Sequence, residues 1–270
     1  MEAVVRRTEK SSVTRLWLLS DLHLESAPRP DRFDPTRPDF DVLVCPGHVW
    51  ETRTDLGMAA LRRLAGDKPV VTVLGNHEHW HGEVGENLEL ARLSAARNGV
   101  TLLEGEEAMI ADVRFVGCTL WADFRLARPS HDLRAETGEP IVIAREDGGE
   151  HWCRALDGRA MHDAARERLT ELVDAHDGPD VPAGTPLVIV THHAPHSDCL
   201  GTIEPGSWVA GACASDLFDL TDRGTIALWA HGHIHDRCER VRPGGTRIVR
   251  NPAGHHCSAP GFDEGLVIEV

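Results

Sequence analysis

No tyrosine occurs in this 270-residue chain, and tryptophan and phenylalanine bring the aromatic share only to 5%. We find no physical account of the missing tyrosine. No stretch approaches the roughly 18 uninterrupted apolar residues of a membrane helix, and the opening MEAVVRRTEKSSVT lacks the apolar centre of an export signal. These absences predict a chain that neither spans a membrane nor leaves the cell, with the cytoplasm as its expected location. There is no C-x-x-C pair either. Cys45, Cys118, Cys153, Cys199, Cys213, Cys238 and Cys257 are odd in number and scattered, so they read as reduced, buried thiols and exclude a disulfide framework or zinc ribbon. Positive charge is also scarce: 28 Lys and Arg stand against 43 Asp and Glu, a formal net charge of -15. That argues against nucleic acid and anionic membranes as partners, because phosphate backbones are held by clustered cations. A small anionic substrate is not excluded, since bound divalent ions reverse the field of a pocket.

What is abundant is histidine, with 17 in the chain, while the hydrophobic share of 41% and charged share of 26% are ordinary. Residues 1–270 are long enough for a sizeable core, and one domain is expected. Ala230-His231-Gly232-His233-Ile234-His235-Asp236 follows the apolar run Ile226–Trp229. In extended backbone His231, His233 and His235 share a face, Gly232 permits close approach, and imidazole suits Zn, Fe, Ni and Cu. By itself this stretch also fits a merely histidine-rich surface loop.

Four earlier apolar runs of strand length end in the same way. Residues 15–20 run into Asp21-Leu22-His23, residues 41–45 into Pro46-Gly47-His48-Val49-Trp50-Glu51, residues 69–74 into Gly75-Asn76-His77-Glu78, and residues 187–191 into His192-His193. Ligands collect at the carboxyl ends of strands in α/β sheets, so these segments are expected to converge. Apolar spacing over 55–66 predicts the crossover helix of a βαβ unit, and further helices are predicted over 85–98 and 156–176. Segments 101–103, 109–111, 113–118, 247–250 and 265–269 read as strands of a second sheet. Residues 122–155 lose periodicity and read as a partly irregular cap over the pocket.

In this order, D-x-H, G-H-x-x-E, G-N-H-E, H-H and G-H-x-H, each after a strand, resemble the calcineurin-like metallophosphoesterase family over most of residues 14–255. The resemblance implies a four-layer α/β/β/α sandwich, a two-metal centre, and hydrolysis of phosphodiesters or small phosphate esters by metal-bound hydroxide. By the same resemblance Asp21, His23 and His235 hold one metal, Asn76, His192 and His233 the second, and His77 meets the leaving group or a phosphoryl oxygen. The family's G-D-x-x-[DE] motif carries an aspartate that bridges both metals, and His48 stands at that position. An imidazole ordinarily serves one metal, so the set favours Fe, Zn or Mn over Mg, and the second ion is expected to be held less firmly.

Weaker candidates are Glu51 and Asp236 as partners of ligands, the turn Asn251-Pro252-Ala253-Gly254, and His79, His81, His193, His196, His231, His255 and His256 as packing or pocket residues. Two other readings stay open at this level. One is a different hydrolytic or oxidative reaction at a His-rich Fe/Zn centre on the same scaffold; the other is a metal-binding regulatory protein without turnover.

Overall fold

A computed structural model describes residues 13–145 and 147–270. Residues 1–12, read above as lacking an export signal, and Glu146 of the expected cap lie outside the described residues.

The first sheet is built on β1 (Arg15–Leu18), β2 (Val42–Cys45), β3 (Val70–Thr72) and β4 (Thr101–Leu102), all parallel, with a last strand at Val267–Glu269 antiparallel to β1. The second sheet centres on the parallel strands β6 (Val113–Cys118), β9 (Leu187–Thr191), β10 (Ile226–Ala230) and β12 (Arg247–Arg250). Antiparallel strands flank it, β5 (Glu106–Ile110) beside β6 and β11 (Cys238–Val241) beside β12. A separate hairpin joins β7 (Val142–Ala144) to β8 (Glu150–Trp152).

The apolar runs explain the layers. A parallel strand covered on both faces needs apolar residues at every position, and β2 and β9 are buried throughout. One face of each sheet meets the other: Leu16, Leu18, Val44 and Val71 pack against Phe115, Val188, Val190 and Leu228. The outer face of the first sheet, through Trp17, Leu43 and Val70, receives Met58, Leu61 and Leu64 of α1 (Thr54–Ala65) and Ala91 and Ala95 of α2 (Val84–Asn98). The outer face of the second, through Val116, Ile189 and Trp229, receives Leu169, Leu172 and Val173 of α3 (Ala155–Asp174). Two shorter helices, α4 (Trp208–Cys213) and α5 (Phe218–Thr221), extend that layer. The result is a four-layer α/β/β/α sandwich.

The structure corrects several expectations. Segments 101–103 and 265–269 belong to the first sheet, not the second. Their apolar patterns are the same whichever sheet they join, and only long-range pairing distinguishes the two. Cys238–Val241 was not expected as a strand; its burial pattern is exposed after Cys238, so it shows no apolar run. Within 122–155 the β7–β8 hairpin is regular, with mostly half-buried or exposed residues that give no periodic signal. Six cysteines are buried and free as expected, but Cys257 is exposed. Among the described residues no helix is long and apolar enough to cross a membrane.

The sheets approach closely at Gly117 of β6. A Cβ there would lie 2.7 Å from the Val190 carbonyl oxygen, 2.9 Å from Val73 Cγ1 and 3.2 Å from Leu103 Cβ. Overpacking of this kind costs about 1–3 kcal/mol. Gly117→Ala is therefore expected to lower the urea midpoint at unchanged m-value, and a variant as stable as wild type would contradict the close approach.

Candidate metal centre

Five loops that follow β1, β2, β3, β9 and β10 meet at one edge of the two sheets. Backbone ties fix their order: the Asp21 N–H donates to the Gly47 carbonyl at 3.1 Å, the Gly232 N–H to the His192 carbonyl at 3.0 Å, and the Gly254 N–H to the Asp21 carbonyl at 2.8 Å. Glycine permits this spacing. A Cβ on Gly47, whose φ is +81°, would meet the Gly75 nitrogen at 2.6 Å, one on Gly75 would meet His192 Cε1 at 2.7 Å, and one on Gly232 would meet Asp21 Oδ2 at 2.7 Å. Non-glycine strain gathers in the same place, with Asp21, His23, His48 and His233 all at φ between 46° and 68°. Such left-handed conformations cost of order 1–3 kcal/mol each and persist only where surroundings impose them.

The predicted site residues fall into two adjoining groups. In one, His23 Nε2 lies 3.1 Å from His235 Nε2, and His235 Nε2 lies 3.8 Å from Asp21 Oδ1. His48 joins this group, its ring centroid 3.5 Å from that of His23. In the other, His192 Nε2 lies 2.9 Å from Asn76 Oδ1 and 3.2 Å from His233 Nδ1. The groups touch through Asp21 Oδ1, which accepts the His233 N–H at 3.0 Å. His77 lies at the mouth beside His48, stacked on Trp80 at 3.6 Å, with Glu51 Oε2 3.6 Å from its Nδ1.

Hydrogen-bond accounting shows what these donor sets fit. His192 Nδ1 is 2.8 Å from the Pro46 carbonyl; a carbonyl only accepts, so Nδ1 carries the proton and Nε2 presents a lone pair. The Asn76 amide donates its Nδ2 to Glu139 at 2.9 Å, which turns Oδ1 toward that same lone pair. Two acceptors thus face each other at hydrogen-bond distance. His23 repeats the pattern, with Nδ1 2.8 Å from Glu25 Oε1 and Nε2 toward His235. Asp21 Oδ2, His48 Nε2 and His77 Nδ1 are buried without any hydrogen-bond partner. Converging lone pairs in a dry site fit a cation.

The electrostatics agree. Burial pushes His48 down to about 4 and His77 to about 2, and holds His192 and His233 well below the ordinary imidazole range, with neighbouring imidazoles adding to the effect on the last three. These rings are therefore neutral, the form that ligates. Burial raises Asp21, and the neighbouring His48 opposes it.

Three carboxylates without an assigned role in the sequence stand behind these groups. Glu78, fully buried, accepts N–H bonds from Gly75 at 2.8 Å, Val49 at 2.7 Å and His48 at 3.1 Å, tying the β2 and β3 loops together. It lies in the G-N-H-E motif, but nothing local distinguishes it from a solvent-facing acid. Glu139 comes from the aperiodic segment and Glu25 from a single turn, and neither carries a signal in the sequence. Asp236 neither orients His235 nor lies free: it pairs with the buried Arg250. Asn251 is a structural tie to Leu18 and Asp263. His79, His193, His196 and His231 are buried, and His193 packs against His233 with centroids 4.3 Å apart. His81, His255 and His256 are exposed, and the His255 ring covers His23 at 3.8 Å.

Removing a partner from a buried N–H costs about 1–3 kcal/mol. Glu78→Ala strands three of them, so a loss of several kcal/mol is expected in chemical denaturation, and the variant that folds should hold metal more weakly because His48 loses its anchor. Unchanged stability would show that the loops are held by other contacts.

Residues 14–237 match the family described as calcineurin-like phosphoesterase. An uncharacterised protein, L509, of Acanthamoeba polyphaga mimivirus is 24% identical in an alignment 215 residues long that covers 73% of this chain and 72% of that protein. Among solved structures, the phosphopantetheinyl hydrolase PptH of Mycobacterium tuberculosis superposes with a TM-score of 0.64 at 18% identity, covering 89% of each chain. A dimetal phosphatase of Danio rerio gives 0.49 at 16% identity, covering 88% of this chain and 87% of that one. The match spans the loops that carry all the predicted site residues, and this chain belongs to the calcineurin-like phosphoesterase family.

Proposed function

We propose that this metal-dependent phosphoester hydrolase cleaves a phosphodiester or a small phosphate ester at a two-metal centre rich in imidazole. The observation that carries the reading is the convergence of two donor sets, Asp21, His23 and His235 beside Asn76, His192 and His233, in which the His192 Nε2 lone pair faces the Asn76 Oδ1 acceptor with no proton between them. Those sets would hold the two ions, with His48 at the position where the family has its bridging aspartate. Ions bound there would lower the pKa of a coordinated water, clamp phosphoryl oxygens and neutralise developing charge.

The chain's own residues supply the rest. Asp21 is the one carboxylate directly within the donor groups, and its Oδ1 also fixes the His233 backbone. His77 faces outward from the buried rings, with its side chain 19% exposed, so it can reach a phosphoryl oxygen or leaving group and donate a hydrogen bond there. Stacking on Trp80 and proximity to Glu51 set its direction. Residues 122–155 would act as a cap on a single domain; the Glu139–Asn76 hydrogen bond supports this, because it brings that segment to the centre. A nitrogen-rich set suits Fe, Zn or Mn rather than Mg.

An aryl phosphodiester supplied with Mn or Zn should be hydrolysed by the metal-replete protein and not after chelation. His77→Ala should lower kcat by about 10²–10⁴-fold with metal content unchanged. Atomic emission that finds only Mg would overturn the ligand argument. Tight metal binding with no turnover of any phosphoester would favour the regulatory reading instead.

A further inference from the structure

Glu25 occupies a short turn, Leu24–Ser26, that starts directly from His23. His23 has left-handed backbone, φ 46° and ψ 46°, and that reversal folds the next residues back beneath its own ring. Glu25 Oε1 lies 2.8 Å from His23 Nδ1 and 3.7 Å from His48 Nε2, while Oε2 accepts the Glu51 N–H at 3.1 Å. One carboxylate thus reaches the first loop, the second loop and the residue at the end of the G-H-x-x-E motif.

We infer that Glu25 supplies, one hydrogen bond behind the metal ligands, the negative charge that His48 removes from the bridging position. This rests on the metal-centre reading above. The Glu25 carboxylate accepts from His23 Nδ1–H, which fixes the tautomer that presents Nε2 toward His235 and makes that nitrogen a stronger donor. Oε1 is also the carboxylate oxygen facing His48 Nε2, a buried atom with no hydrogen-bond partner. With aspartate at 48 the centre would hold two carboxylates, Asp21 and the bridge. With histidine there, Asp21 and Glu25 restore the same count, the second carboxylate displaced outward by the width of an imidazole. Glu25 is a positioning residue in this arrangement, since it acts through His23 and His48 and not on the substrate.

The test measures metal binding, not turnover. Chelator-treated wild type, Glu25→Gln, His48→Asp and the double variant are titrated with Zn(II) and with Co(II), whose visible bands report ligand-field strength. Glu25→Gln keeps shape and one acceptor oxygen but removes the charge. It should weaken metal affinity about 10–100-fold and shift the Co(II) bands, effects that loosening of the turn alone would not produce together. His48→Asp in the Glu25→Gln background should recover at least tenfold of the loss. Glu25→Asp, which keeps the charge, should lie between wild type and Glu25→Gln, and it serves in place of the latter if that variant does not fold. Affinity within twofold of wild type with unchanged bands would overturn the role of Glu25, as would a double variant showing no recovery. A wild-type protein that takes up neither ion would overturn the metal-centre reading itself.

Discussion

The His192 ring lies where a Cβ on Gly75 would stand and within 3.3 Å of where Cβ atoms on Gly47 and Gly232 would stand. Steric access at that point governs the whole centre. Loops from both sheets, those after β2 and β3 on one side and β10 on the other, close on a single imidazole because none presents a side chain to it. The imidazole in turn holds Pro46 through Nδ1 and faces Asn76 and His233 through Nε2. The two sheets contribute unequal parts: Asp21, His23, His48 and Asn76 follow strands of the first, His192, His233 and His235 strands of the second. Face-to-face packing of the sheets is therefore what assembles the donors, and the close approach at Gly117, which pairs with Val190 two residues before His192, serves the same end beside the centre.

The residues that touch one another at the centre were legible because a buried parallel strand forces a continuous apolar run and ends abruptly at its first polar residue. Asp21, His48, Asn76, His192 and His233 all stand just beyond such an ending, so order along the chain predicts convergence in space. The partners of those residues were not legible. Glu78 reaches back 30 residues to His48 through the backbone, and Glu139 reaches 63 residues to Asn76; neither separation has a periodic or spacing signature. Sheet membership failed for the same reason, since 101–103 and 265–269 have patterns that would suit either sheet. Asp236 shows the limit from the other side, because its neighbour in sequence, His235, is not its partner in space; Arg250 is.

Strain at the centre has a physical reason. A ligand at the first turn after a strand must point back over the sheet edge, and an extended backbone would send it to either face instead. Left-handed φ at Asp21, His23, His48 and His233 makes that reversal. The buried carboxylates are what hold it: Glu78 accepts the backbone N–H of His48 and Asp21 that of His233, so two of the four strained residues have their backbone donors engaged by a side-chain acid.

This arrangement also reconciles the overall charge with a phosphate-ester substrate. A protein carrying -15 repels an anion over most of its surface, and burial keeps His48, His192 and His233 neutral, so the polypeptide alone offers the substrate little attraction. Cations supply the missing potential. A pair of divalent ions would bring more positive charge than Asp21 and Glu25 together cancel, and the surplus would sit in a buried site where screening by water is weakest. In the proposed reading, histidine at position 48 in place of a bridging carboxylate would enlarge that surplus, strengthening the hold on an anionic ester while weakening the hold on the ions. A carboxylate one hydrogen bond removed, at the Glu25 position, moderates the second effect more than the first: it polarises a ligand directly but stands farther from where the phosphoryl group would lie. The composition of the donor set, rather than any basic patch, is thus the means by which an acidic chain of this fold can bind and cleave an acidic substrate.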